Sequence, residues 1–315
     1  MCWARLVRLP AVFTIIAQVA AAYLLVAGSD PPLLRFVLVT LSGVALYWSG
    51  MIINDLWDFA EDTRDRPGRP LPKGEVSLGS AKAAAWGLMA AGIVIAAVSG
   101  LVAAQVTQPT LFPAIIATAT AACILLYNGP FKQTPLAPPT MGLCRLLSFL
   151  LGASPLMAVE AASLAALTTS VAPHVLVAAV GMGVYVMGIT LVSQVETIGG
   201  RKMPLAFGTL VIAIGAFCMA VAPRFAPPGT VWNMLPPERF GLLIGLIAAT
   251  VVMRGVRVTL APAVSKIQGL VRIGILSLIP FSAAFALLGA GPIWALAVFA
   301  LVIPAMVTAA KIRVT

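Results

Sequence analysis

"NDLWDFAEDTRDRPGRPLPKG" (residues 54–74) carries five of the ten acidic side chains of a 315-residue chain: Asp55, Asp58, Glu61, Asp62 and Asp65. It comes directly after an apolar segment ending in YWSGMII. If that segment continues as a helix at about 100° per residue, Asp58 lies about 300° and Asp62 about 340° from Asp55. The three carboxylates then share an arc of about 60°, with Asn54 beside them and Glu61 pointing elsewhere. Three like charges on one face at a membrane edge are costly to keep ionised and call for a cation. Hard carboxylate oxygens suit Mg²⁺, which keeps few protein ligands and bridges to phosphate oxygens. The prolines at 67, 70 and 72 end the helix and stiffen the loop beyond it, holding Arg66 and Arg69 over the carboxylates. Forked guanidinium donors match phosphate geometry. An ordinary mixed-charge loop would explain acids and bases together, but not the spacing of three and four. The stretch reads as a Mg²⁺-diphosphate site.

The rest of the chain sets that site in a membrane. Hydrophobic residues make up 61% and charged residues 10%, with mean hydropathy +1.04; a soluble domain carries about 25% charged residues. Apolar runs long enough to cross about 30 Å of hydrocarbon predict helices at 11–28, 33–54, 81–105, 110–128, 140–158, 173–194, 204–222, 239–253, 268–288 and 291–310. The first resembles a signal peptide in its flanking Arg5 and Arg8, but a second span comes at once, so a retained helix is expected. With ten spans, seventeen Lys and Arg fall on the inner side and three (Arg35, Arg224, Arg239) on the outer. Residues 55–74, 129–139 and 195–203 are thereby expected on the cytoplasmic face and 223–238 opposite. The net charge of +10 is spread over short loops, which argues against nucleic acid as a partner. Cys2, Cys123, Cys144 and Cys218 show no metal or disulfide spacing, and His174 reads as a helix-end residue. Arg254, Arg257, Lys266 and Arg272 are explained by anionic lipid and snorkelling. The chain is expected to be one all-α polytopic membrane domain over residues 1–315.

Asn54, Asp55, Asp58 and Asp62 spell NDxxDxxxD, and Arg66-Pro67-x-Arg69-Pro70-Leu71-Pro72-x-Gly74-x-x-Ser77 continues it. This resembles the first aspartate-rich motif of the UbiA family of intramembrane prenyltransferases. LVRLPAVFTIIAQVAAAYLLVAG (6–28) is similar to the family's first helix, and the resemblance extends to about residue 205. It implies a ring of nine to ten transmembrane helices around a central cavity. It also implies Mg²⁺-dependent transfer of a prenyl group from a prenyl diphosphate to an aromatic or lipophilic acceptor. The implied setting is a bacterial inner membrane with membrane lipid around it and the active-site loops cytoplasmic.

The resemblance also assigns residues. Asp55, Asp58 and Asp62 would ligate the metal; Asn54, Arg66 and Arg69 would hold the diphosphate. Lys132, in YNGPFKQTPL, and Arg145, in MGLCRLLSFLLGAS, stand where members carry diphosphate-binding cations, with Ser148 in place of an Asn. The second aspartate-rich motif falls at ITLVSQVETIGGRKMPLA (189–206), where Glu196 alone survives as a carboxylate. Glu196 is read as a metal ligand and catalytic residue, with a helix-end glutamate as the other reading. This altered motif is similar to the UbiA-like EboC subgroup of ebo-type gene clusters. A depleted motif also keeps open a non-catalytic or transport-related member that binds an isoprenoid or lipid precursor. A lack of internal repeats and paired broken helices argues against a transporter.

Overall fold

The computed structural model describes residues 2–102, 108–157, 171–195, 202–234 and 236–312. Every regular element among them is helical. A short α1 (Cys2–Leu6) leads into α2 (Leu9–Ala27), α3 (Leu33–Trp57), α4 (Phe59–Asp65), α5 (Leu78–Leu101), α6 (Phe112–Asn128) and α7 (Ala137–Ala153). Then come α8 (Pro173–Ser193), α9 (Lys202–Val221), α10 (Arg239–Leu260), α11 (Val264–Leu276), α12 (Leu278–Ala290), α13 (Pro292–Phe299) and α14 (Val302–Lys311). Eight of the described spans are long and apolar enough to cross a membrane, counting α11–α12 and α13–α14 as one span each. The 17-residue α6 is apolar but shorter than these, and the 17-residue α7 lies where the fifth span is expected.

Sequential helices pack side by side and the circle closes where α12 meets α2. Lipid tails give apolar helices no hydrophobic reason to associate, so contact rests on close backbone approach. Gly289 of α12 shows how close: a Cβ there would sit 2.5 Å from Leu25 Cα on α2. Between α8 and α9, a Cβ on Gly215 would lie 2.3 Å from the Tyr185 nitrogen. The first apolar segment is therefore a packed member of the ring. The pair α13–α14 lies outside it, against α2, with only 11% of its apolar window buried.

The structure corrects three expectations. The eighth span is expected to stop at 253, yet α10 runs to Leu260. Arg254 and Arg257 are good helix formers, and Pro262 is what prevents continuation. The ninth and tenth spans are each broken, after Leu276 and after Phe299. Pro280 and Pro304 lie a few residues beyond each break, where a missing N–H and a ring clash disrupt the preceding turn. Tyr185 Oη bonds the Gly274 carbonyl (3.1 Å) and Ser277 Oγ (2.6 Å), satisfying polar groups at the first break. Arg35, expected as an outer-loop cation, is fully buried. Its guanidinium donates to the Val102 carbonyl (2.8 Å) and the Pro155 carbonyl (2.7 Å), tying the far ends of α3, α5 and α7 together.

Candidate active site

The chain leaves the ring at the end of α3 with its hydrogen bonding nearly unbroken. Asp58 N bonds Asn54 O (3.0 Å) and Asp62 N bonds Asp58 O (2.8 Å), although Asp58 itself (φ −81°, ψ 0°) separates α3 from α4. The helical spacing of Asp55, Asp58 and Asp62 is thus preserved, and Glu61 is exposed. Arg66, held out of helical geometry ahead of Pro67, starts a turn that folds back on itself: Lys73 N bonds Arg69 O (3.0 Å) and Glu75 N bonds Pro70 O (3.0 Å). Gly74, at φ +77°, makes the reversal, and Ser77 caps α5 by accepting from Ser80 N (3.1 Å). Arg5 pins this loop through Gly68 O (2.9 Å) and Glu75 (3.5 Å).

The fold delivers a cation to each carboxylate. Arg69 Nη1 lies 2.5 Å from Asp62 Oδ2 and 3.6 Å from Asp55 Oδ1, so one guanidinium joins two aspartates. Arg66 approaches the other oxygen of Asp62 at 3.9 Å. Lys132, from the α6–α7 connection, donates to both oxygens of Asp58. Arg8, at the start of α2, reaches Asn54 Oδ1 (3.2 Å) and Asp55 Oδ1 (3.4 Å). Asn54 Nδ2 in turn donates to Asn128 Oδ1 at 2.8 Å. Asp62 and Asp55 side chains are 3% and 8% exposed, so these are largely desolvated charges that need their partners. Four basic groups face three carboxylates.

Most of the expected residues therefore meet at one mouth: Asn54, Asp55, Asp58, Asp62, Arg66, Arg69 and Lys132. Arg145 stands apart. It is turned toward α2, with Nη1 3.3 Å from Thr14 Oγ1 and 3.4 Å from Gln18 Oε1. It lines a cavity inside the ring, together with Tyr47, Met51, Ile124, Met141 and Leu151. Asn128 lines the same cavity at its site end. Glu196 lies outside the described residues. Its neighbour Ser193 bonds back to Thr190 O (2.8 Å) on α8.

Two partners at the mouth do not emerge from the sequence. By sequence Arg8 is only a positive-inside charge, and Asn128 is one polar residue at a helix end. Arg8 does carry a signal, since it stands two residues before a proline at a helix start. It is also the one non-glycine residue with positive φ (48°) among those described.

Hard oxygen donors are the right chemistry for Mg²⁺, and Asp55 and Asp62 converge on one Arg69 nitrogen. The three aspartates do not, however, meet at a point. Asp58 faces Lys132 while Asp55 and Asp62 share Arg69, and no group of three acidic, His or Cys residues among those described is close enough to hold an ion. The donor chemistry suits a divalent metal, while the carboxylates as they stand are held by Arg8, Arg66, Arg69 and Lys132.

Residues 14–259 match the UbiA prenyltransferase family. A digeranylgeranylglyceryl phosphate synthase from Methanoculleus marisnigri is 29% identical over 223 residues, 67% of this chain and 71% of that protein. A structure reported for digeranylgeranylglyceryl phosphate synthase in membranes superposes with TM-score 0.64 at 18% identity, over 92% of this chain and 98% of its own. A UbiA homolog from Archaeoglobus fulgidus bound to GPP and Mg²⁺ gives 0.60 at 14% identity, over 95% and 100%. At such identities the structures speak for the fold, and the family match speaks for more. With its ring of membrane helices and its aspartate–arginine mouth, this chain belongs to the UbiA prenyltransferase family of integral-membrane enzymes.

Proposed function

We propose that this protein transfers the prenyl group of a prenyl diphosphate to the hydroxyl of a lipophilic acceptor, with Mg²⁺ as cofactor. The observation that carries this reading is the mouth itself. Three mostly buried aspartates and four basic side chains alternate at the end of an apolar cavity.

The pairing supports an exchange of partners. When a diphosphate enters, Arg8, Arg66, Arg69 and Lys132 turn from carboxylate to phosphate oxygens, and Asp55, Asp58 and Asp62 become available to hold Mg²⁺. Glu196 would add a carboxylate from the second motif. Bound there, Mg²⁺ supplies charge neutralisation for the leaving diphosphate. Asn54, fixed by Asn128, accepts from the same Arg8 nitrogen that reaches Asp55 and so helps to position that cation. The C–O bond to the diphosphate breaks with its electron pair remaining on the diphosphate, where the basic groups stabilise the developing charge. The acceptor oxygen bonds the freed carbon, and its proton passes to the departing diphosphate. The apolar walls of Met51, Ile124 and Leu151 exclude water, which would otherwise capture the allylic cation.

The relatives' name, digeranylgeranylglyceryl phosphate synthase, favours a glyceryl phosphate lipid over an aromatic acceptor. Arg145, a cation in the cavity wall with hydroxyl and amide partners and no carboxylate among the described residues, suits a phosphate-bearing acceptor. The experiment incubates purified protein and Mg²⁺ with labelled prenyl diphosphates and glyceryl phosphate lipids, then tracks label into a new lipid. Product formation that disappears in Asp62→Asn supports the proposal. Prenyl-diphosphate binding without product from any acceptor overturns it in favour of a non-catalytic isoprenoid-binding member.

A further inference from the structure

From Arg239 to Thr315 the chain has seven basic residues and no acidic one. Every basic group at the aspartate mouth faces a carboxylate, whereas here none can within the segment. Two of these cations line a groove on the outside of the ring, bounded by α10, α11 and α14, with about 670 Å³ of open space. Its floor and walls are otherwise apolar, formed by Ile273, Leu276 and Met306. Arg254 lies about 9 Å before the end of α10 and Arg272 about 12 Å after the start of α11, so both sit at one depth on the side of the aspartate mouth. Arg254 lies across the bare backbone at Gly269, where a Cβ would come within 3.8 Å of its Nη1. No described residue offers either guanidinium a hydrogen bond or an ion pair.

We propose that this groove binds an anionic phospholipid of the leaflet on the site side. The phosphate would sit between Arg254 and Arg272, with an acyl chain laid along Ile273, Leu276 and Met306. Charge complementarity selects the occupant: two forked donors lining one groove match a phosphate, and the apolar side chains beside them match a chain. General attraction of basic loops to the surface needs neither the groove nor α14. A bound lipid needs both, because α14 supplies the far wall. The otherwise lipid-facing pair α13–α14 thereby gains an interior contact. The site is separate from the aspartate mouth and does not depend on the proposed reaction.

Binding is read by native mass spectrometry of the full chain in neutral detergent, titrated with phosphatidylglycerol, phosphatidylcholine or inorganic phosphate. The parent is expected to retain phosphatidylglycerol in preference to phosphatidylcholine. Each of Arg254→Gln and Arg272→Gln should weaken phosphatidylglycerol about fivefold, and the double variant about twenty-five-fold if the two act independently. A control, Arg64→Gln with Lys82→Gln, removes two exposed cations from the same side of the protein. It should leave binding unchanged. Thermal unfolding without lipid should be the same for all, which separates lost binding from lost folding. Equal loss in the control, equal retention of phosphatidylcholine, or displacement of the lipid by millimolar inorganic phosphate would each overturn the proposal.

Discussion

The mouth formed by residues 54–74 and the segment from α10 to α14 are both rich in cations at the same end of the ring, yet they treat charge oppositely. At the mouth, Arg8, Arg66, Arg69 and Lys132 each find a carboxylate, and the aspartates are mostly buried. The C-terminal segment has no acid of its own, and its cations among the described residues stay exposed. Buried charge must be compensated inside the protein, which fixes geometry; exposed charge can wait for lipid. A cation count by side of the membrane treats the two regions alike, and only the position of the acids separates them.

The sharpest way to break that contrast is to remove one cation from each. Arg69→Ala removes the cation that Asp55 and Asp62 share, leaving them only the longer contacts from Arg8 (3.4 Å) and Arg66 (3.9 Å), and should cost about 3 kcal/mol, the lower end of the penalty for breaking a buried ion pair. Arg272→Ala in lipid-free detergent should stay within about 0.5 kcal/mol of the parent, as exposed substitutions do. Denaturant or thermal unfolding of both variants checks this; similar losses would erase the distinction. Next in size, Asp58→Asn removes the carboxylate that pairs with Lys132 and should lower turnover on the order of 100-fold. Glu61→Gln, three residues on and exposed, should stay within about twofold of the parent, the difference being set by helix face. Initial rates at saturating Mg²⁺ decide it.

The smallest effect concerns the rim of the mouth. The Glu75 carboxyl is held below its ordinary value of 4.5 chiefly by its bond from Lys73, with Arg5 adding to it. A depressed carboxyl stabilises the folded loop above the unfolded value and stops doing so as pH falls through the folded one. Protection of residues 66–76 from proteolysis should therefore be constant from neutrality to about pH 5 and weaken below it. Glu75→Gln should show the weaker protection at every pH. An unchanged acid response in that variant would assign the effect elsewhere.

Much of the mouth is legible in the sequence because helical geometry is local. Spacings of three and four fix a face over Asp55, Asp58 and Asp62 whatever the rest of the chain does, and RPGRP dictates a turn. Arg8 and Asn128 are not legible in the same way: they meet Asn54 only because α2 and α6 pack beside α3, across 46 and 74 positions of sequence. Arg145 shows the converse. Its place in the chain suggests the diphosphate, while the rotation of α7 aims it at Thr14 and Gln18 inside the cavity. The breaks near Pro280 and Pro304 are readable in principle, but hydropathy averages across them and returns single spans.

In the proposed reaction the three aspartates exchange their basic partners for Mg²⁺ when a diphosphate arrives. Calorimetric titration of a prenyl diphosphate into the purified protein, at graded Mg²⁺ and again in EDTA, tests it most directly when run beside Asp62→Asn. Binding should strengthen with Mg²⁺ in the parent, and the affinity of the variant should no longer respond to the metal. Equal affinity with Mg²⁺ and with EDTA in the parent, or an undiminished metal response in Asp62→Asn, would contradict it.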